Sequence, residues 1–188
     1  MQNLLTVTNK IVSQFVEKET LEAMEKLLDQ TSFENNLSGA CVIAENFASA
    51  ETFKILTSST EESSNAETKL IQSFHNNLKL LVQKTWVEKS DIAIKEQILY
   101  QLDPICDSLR NKDYIQIYPK YVNILQDVVY LMFGPQSKKE EFAEYALRID
   151  PGFGIFWWFL VNMPCTTPPQ PETARIYLLL GMLFLANY

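Results

Sequence analysis

Phe153-Gly154-Ile155-Phe156-Trp157-Trp158-Phe159-Leu160-Val161-Asn162-Met163 and Ile176-Tyr177-Leu178-Leu179-Leu180-Gly181-Met182-Leu183-Phe184-Leu185-Ala186 are the two segments on which the fold turns. They flank a proline-rich connector, Pro164-Cys165-Thr166-Thr167-Pro168-Pro169-Gln170-Pro171. A helix of either length reaches roughly 16 Å, far short of the roughly 30 Å of hydrocarbon that a membrane span crosses. Integral membrane insertion is therefore not expected. The segments read as a helical hairpin whose apolar surface needs cover, from the rest of the chain or from another molecule. That identifies a fold-stabilising unit and a candidate contact surface, but no reaction.

Working back towards the N-terminus, helical periodicity dominates. Leu4, Leu5, Ile11, Val12, Phe15 and Val16 mark one helix face, and Leu21, Met24, Leu27 and Leu28 continue it with a slipped phase. One long bent helix or two consecutive helices would satisfy that pattern. Thr31–Gly39 is rich in polar and capping residues and reads as a loop. Ala40, Ile43, Ala44, Phe47 and Ala48 then form a small-residue stripe suited to close helix packing. The run Thr57–Asn65 has no apolar side chain to offset the entropy of ordering, which predicts a mobile loop or hinge.

Leu70, Ile71, Phe74, Leu78, Leu81 and Val82 give the cleanest amphipathic helix. Ser90-Asp91 is a cap for the next, carrying Ile94, Ile98, Leu99 and Leu102. Asp103-Pro104 and Tyr118-Pro119 each predict a fresh helix start, because proline suits the first helical position. Gly134-Pro135 is a stop signal, Ser137–Glu140 a capping box, and Asp150-Pro151-Gly152 the end of the helix it opens. No run of strict alternation supports a strand. The predicted fold is all-α, an irregular bundle of roughly eight helices. By composition it divides into an N-terminal helical region (residues 1–56), a polar linker or loop (57–66) and a main helical domain (67–188) ending in the apolar hairpin.

Composition agrees. The chain is 47% hydrophobic and 12% aromatic, ample for a buried core. It holds only five glycines, which argues against a turn-dense β-sandwich and against glycine-lined nucleotide loops. The net charge of −7 opposes nucleic-acid binding, which draws its affinity from cations meeting phosphates. Three widely spaced cysteines, Cys41, Cys106 and Cys165, form neither a disulfide framework nor a zinc pattern. With no basic, apolar leader at Met1–Val7, the expectation is a cytoplasmic protein with reduced thiols.

Catalytic signals are sparse. His75 is the only histidine and has no nucleophile motif beside it, so a structural hydrogen bond is its expected role. Neither a metal site nor a cofactor is expected: one histidine and scattered cysteines make no zinc set, and Gly152-Phe153-Gly154 is a turn rather than a phosphate cradle. Glu19, Glu22 and Glu25 interleave with Lys18 and Lys26, the mark of a solvated face.

Ala143-Glu144-Tyr145-Ala146-Leu147-Arg148-Ile149-Asp150-Pro151 resembles the end of a tetratricopeptide repeat, and Trp157 and Leu160 follow at the spacing that opens the next. Val161 stands where that pattern has glycine, Pro164 where it has an aromatic, and Asn123 lies one repeat length before Trp157. The resemblance implies a helical-hairpin-repeat-like rhythm in the C-terminal half, with no matching groove residues.

Function is expected to be association rather than chemistry. Phe153, Phe156, Trp157, Trp158 and Phe159 put five rings on every side of a short helix, too many for one buried face. Most of these rings are expected in the core, with the helix enclosed by neighbours, and some also at an interface. Together they are the candidate interaction surface, for a protein partner or a second copy of the chain. The alternatives are peripheral membrane association through the apolar hairpin, for which flanking basic residues are few, and an enzyme or small-molecule binder with a pocket between helices.

Overall fold

A computed structural model describes residues 11–29, 31–48, 53, 57–58, 60–133, 139–162 and 170–186. Its helices are α1 (Lys18–Leu27), α2 (Phe33–Phe47), α3 (Glu61–Lys84), α4 (Ile92–Arg110), α5 (Tyr114–Phe133), α6 (Lys139–Ile149), α7 (Pro151–Asn162) and α8 (Pro171–Ala186). A single 3-10 turn, Lys89–Asp91, precedes α4. No strand occurs among the described residues, and the protein is an all-α bundle.

The last helix is the hub. α8 is apolar nearly all round, and it packs against α2, α3, α5 and α7. Ile176, Tyr177, Leu178, Leu179, Leu180, Met182 and Leu183 are all buried, so every side of the helix has a protein neighbour. A helix with no polar face has to be enclosed, and here the chain itself encloses it. α7 and α8 touch, but α8 packs more extensively on α3, α2 and α5 than on α7. The expected hairpin is thus two core helices, each seated mainly on other elements.

Close packing begins with α1 and α2. A methyl group added at Gly39 would lie 2.3 Å from the Ala23 carbonyl oxygen and 2.6 Å from the Leu27 nitrogen. The helices cross backbone to backbone there, beside buried Ala40, Ile43 and Ala44 of the small-residue stripe.

Several sequence expectations need correction. Thr31–Gly39 is not a loop: Ser32 caps α2, its Oγ accepting the Asn35 N–H at 3.2 Å, and Asn36 and Gly39 face inward. Within the polar run 57–66, Glu61–Ala66 form the opening turns of the 24-residue α3. Thr60 Oγ1 accepts the Ser63 N–H at 3.1 Å, and Glu61 and Glu62 complement the positive end of the helix dipole. Capping residues signal a helix start as readily as a loop, and composition alone does not separate the two.

Pro104 and Pro119 lie inside α4 and α5 rather than opening new helices. Proline removes the bond to the carbonyl four residues back. For Pro104 that carbonyl belongs to Tyr100, an exposed residue. For Pro119 it belongs to Ile115, in the first turn of α5. Near the N-terminus, the helical backbone at Ile11–Val12 gives way to a turn at Ser13–Phe15, and α1 starts afresh at Lys18. The pattern on Leu4 and Leu5 and the signals at Gly134-Pro135 and Ser137 lie outside the described residues. Asp150-Pro151 ends α6 as expected and at once opens α7, with Asp150 Oδ1 accepting the Phe153 N–H at 3.3 Å.

Candidate interaction surface

The aromatic cluster of α7 faces inward. Trp158 is fully enclosed, and Trp157 and Phe159 are each 3% exposed. Phe159 stands 5.9 Å from the Tyr177 ring of α8, centroid to centroid. Phe153 is half-buried against the core, and the side chain of Phe156 lies outside the described residues. Trp157, Trp158 and Phe159 are therefore core rather than interaction surface. The physical reason is that α7 has neighbours on several sides, α6, α2, α5 and α8, so rings pointing in several directions all find cover. The same enclosure takes these rings out of reach of a lipid surface. No helix among the described residues is long and apolar enough to cross a membrane.

Trp86 is the tryptophan left outside, 80% exposed in the connector between α3 and α4. Leu80 and Ile92, also exposed at 51% and 44%, flank it along the chain. The corner that carries it is held firmly. Thr85 Oγ1 donates to the Leu81 carbonyl at 2.7 Å, closing the last turn of α3. Lys95 Nζ reaches back from α4 to the carbonyls of Gln83 at 3.0 Å and Thr85 at 2.7 Å, placing a cation on the negative end of the α3 dipole. From α5, the Tyr130 hydroxyl donates to Asp91 Oδ1 at 3.4 Å, and the Asp91 carboxylate holds that phenol above its ordinary pKa.

Charge on this corner differs from the rest of the chain. Residues 79–92 hold Lys79, Lys84 and Lys89 against Glu88 and Asp91, a local balance of +1 within a chain of −7. All three lysines are exposed. Sequence reasoning passed over Trp86 because it lies in no apolar stripe: Lys84-Thr85-Trp86-Val87-Glu88-Lys89-Ser90 is polar on both sides. That isolation was the available signal, since a large ring in a polar connector has no periodic neighbours to bury it.

A second feature is a cleft of about 600 Å³ between α2, the start of α3, the α4–α5 turn and the start of α8. At its edge Arg175 Nη2 donates to Glu67 Oε2 at 2.7 Å, and the Tyr114 hydroxyl donates to Glu67 Oε1 at 2.8 Å. Burial first, and then the Glu67 carboxylate, push the Tyr114 phenol up to about 12. Burial is the largest single effect on Arg175 and lowers its pKa, but the bond to Glu67, the Glu67 charge and Tyr114 together outweigh it and raise the pKa. Glu61, Glu172 and Lys112 also line the cleft, with Phe33, Leu37 and Ile176 as apolar wall.

His75 stands apart from the cleft, its Nε2 2.5 Å from Asp103 Oδ1 across the α3–α4 contact, a structural pair. Among the described residues, no group of histidine, cysteine and carboxylate side chains has the arrangement of a metal site. Comparison with known protein families, with curated proteins and with solved structures finds no match to this chain.

Proposed function

We propose that this protein works by association rather than catalysis, and that the corner joining α3 to α4 is its docking element, with Trp86 as the anchor. The observation that carries the proposal is the contrast among the three tryptophans: two are enclosed and one is held out at 80% exposure. Burying a large aromatic side chain is worth roughly 2–3 kcal/mol. A ring left in water on a stiff corner keeps that free energy for a partner, and its fixed support keeps the ordering cost low. The two kinds of partner weighed from the sequence, another protein chain and a lipid surface, would both meet the protein here rather than at α7.

A cytoplasmic setting is proposed on cysteine usage. Cys106 is a buried free thiol, and burial pushes it up to about 12, where it is unreactive. The hairpin of α6 and α7, which carries the tetratricopeptide-like rhythm, is proposed as helix-pair packing rather than a repeat array.

Photo-crosslinking tests the docking proposal. A benzophenone side chain placed at position 86 in the protein's native cells should give discrete conjugates, to protein or lipid. The same group at exposed position 69, near the other end of α3, should give few. Equal labelling from both positions would remove the corner as a docking element.

The cleft supports a second reading, a small-molecule binder, because it gathers three glutamates, an arginine and a lysine beside an apolar wall. Its test is a thermal-shift screen of small polar metabolites on the wild type and on Glu172→Gln. No stabilising compound, or one equally effective on both, would leave the cleft without support.

A further inference from the structure

We infer that the partner of the α3–α4 corner is an anionic lipid surface, contacted peripherally by Trp86, Leu80 and Ile92 and held by Lys79, Lys84 and Lys89. The inference rests on the docking role proposed above for that corner and names its ligand. Three observations favour lipid over protein. Lysine is depleted from the centres of protein–protein interfaces, whereas tryptophan with nearby lysine is the usual pairing at the headgroup level of a bilayer. The apolar part is small, three exposed side chains, which suits shallow insertion between headgroups better than an interface of roughly 800 Å² per partner. The sign of the charge also fits. A balance of +1 over residues 79–92, with Lys79, Lys84 and Lys89 against Glu88 and Asp91, leaves this corner weakly basic within a chain of −7.

The remaining negative charge does not forbid the approach. Its field decays over roughly 8 Å at physiological ionic strength, so charges farther from the membrane than that are largely screened. Each lysine near an anionic surface adds a modest attraction, so binding through this corner is reversible and salt-dependent.

The test uses the full chain and two kinds of large unilamellar vesicle, pure phosphatidylcholine and phosphatidylcholine with about 30 mol% phosphatidylserine. Trp157 and Trp158 are enclosed, so a change in tryptophan emission on adding vesicles reports Trp86. The expected result is co-sedimentation with the anionic vesicles and a blue shift absent from Trp86→Phe. Reversing Lys79, Lys84 and Lys89 together to glutamate should lower partitioning by at least about tenfold while leaving the far-ultraviolet circular dichroism unchanged.

Equal partitioning into both vesicle types, or a triple variant that binds like the wild type, would overturn the inference. Protein-only crosslinks from position 86 together with no vesicle binding would also overturn it, while leaving the docking role intact. No crosslinks and no vesicle binding would overturn both.

Discussion

The Tyr177 hydroxyl donates a 2.7 Å hydrogen bond to the carbonyl oxygen of Leu27, joining the hub helix α8 to the last turn of α1 across 150 positions of sequence. That carbonyl also accepts from Asn36 Nδ2 at 2.9 Å, and Asn36 Nδ2 lies within bonding distance of the Asp29 carbonyl as well. The end of a helix leaves carbonyls without partners, and a buried end needs donors from elsewhere. Here two side chains from two other helices supply them.

Because Tyr177 and Asn36 share one acceptor, their removal is not additive. Tyr177→Phe should cost about 1 kcal/mol, since Asn36 still serves Leu27. Asn36→Ala should cost about 2–3 kcal/mol, through several bonds and a cavity. The double variant should lose more than the two losses combined, because only then is the carbonyl abandoned. Urea unfolding of the four proteins measures this, and simple additivity would contradict the shared-acceptor arrangement.

Gly39→Ala tests the close approach of α1 and α2. The added methyl meets backbone on α1, which cannot swing aside as a side chain can. A loss of about 3 kcal/mol is expected, at the upper end for overpacking. A thermal midpoint unchanged within a degree or so would mean that the helices are not in contact there.

Trp158→Ala and Trp86→Ala should differ sharply. The first empties a fully enclosed site and should cost about 3–5 kcal/mol. The second removes an exposed ring and should change stability by no more than about 0.5 kcal/mol. Acrylamide quenching offers a parallel check: the quenchable fraction of the emission should disappear with Trp86.

Lys112 sits at φ 61°, the left-handed position that ends α4. The Asp113 N–H bonds the Ser108 carbonyl at 3.2 Å and the Lys112 N–H bonds that of Leu109 at 3.1 Å, the paired bonds of a helix terminus usually closed by glycine. Lys112→Gly should therefore stabilise the protein by about 0.5–1 kcal/mol, despite the greater freedom glycine has when unfolded. Destabilisation would show that the lysine side chain makes a compensating contact along the cleft.

Two aspartates should give opposite pH signatures. Bonds from the Thr31 side chain, from Asn35 and from the Thr31 backbone hold the Asp29 carboxyl below its ordinary pKa. Its contribution is fully present above the unfolded value of about 3.9 and is lost as pH falls through the lower folded value. Burial raises Asp127 instead, so the folded protein carries a penalty for its charge at neutral pH. That penalty is relieved as pH falls through the raised value. Asp127→Asn should thus stabilise at neutral pH with a gain that fades in acid, and Asp29→Asn should destabilise at neutral pH with a loss that fades. Denaturant midpoints across the acid range would expose a reversed sign in either.

The sequence by itself determined that the protein is all-helical and that its C-terminal segments need enclosure. Periodicity, caps and apolar runs are local properties, and Leu70 through Val82 or the stripe from Ala40 to Ala44 state them openly. The candidate contact surface was not legible in the same way. Whether a ring such as Trp157 or Trp86 meets solvent depends on neighbours remote in sequence. Five rings on every side of α7 called for cover on several sides but not for which helices supply it, and no periodic pattern marks the lone ring on the α3–α4 corner. Asn36, Gly39 and Ser63 read as loop residues because polarity and small size are cheap in water. Packing decided otherwise: the Asn36 amide nitrogen donates to the end of α1, Tyr114 of α5 and Arg175 of α8 bond Glu67, and the closeness of two backbones requires a residue with no side chain at position 39.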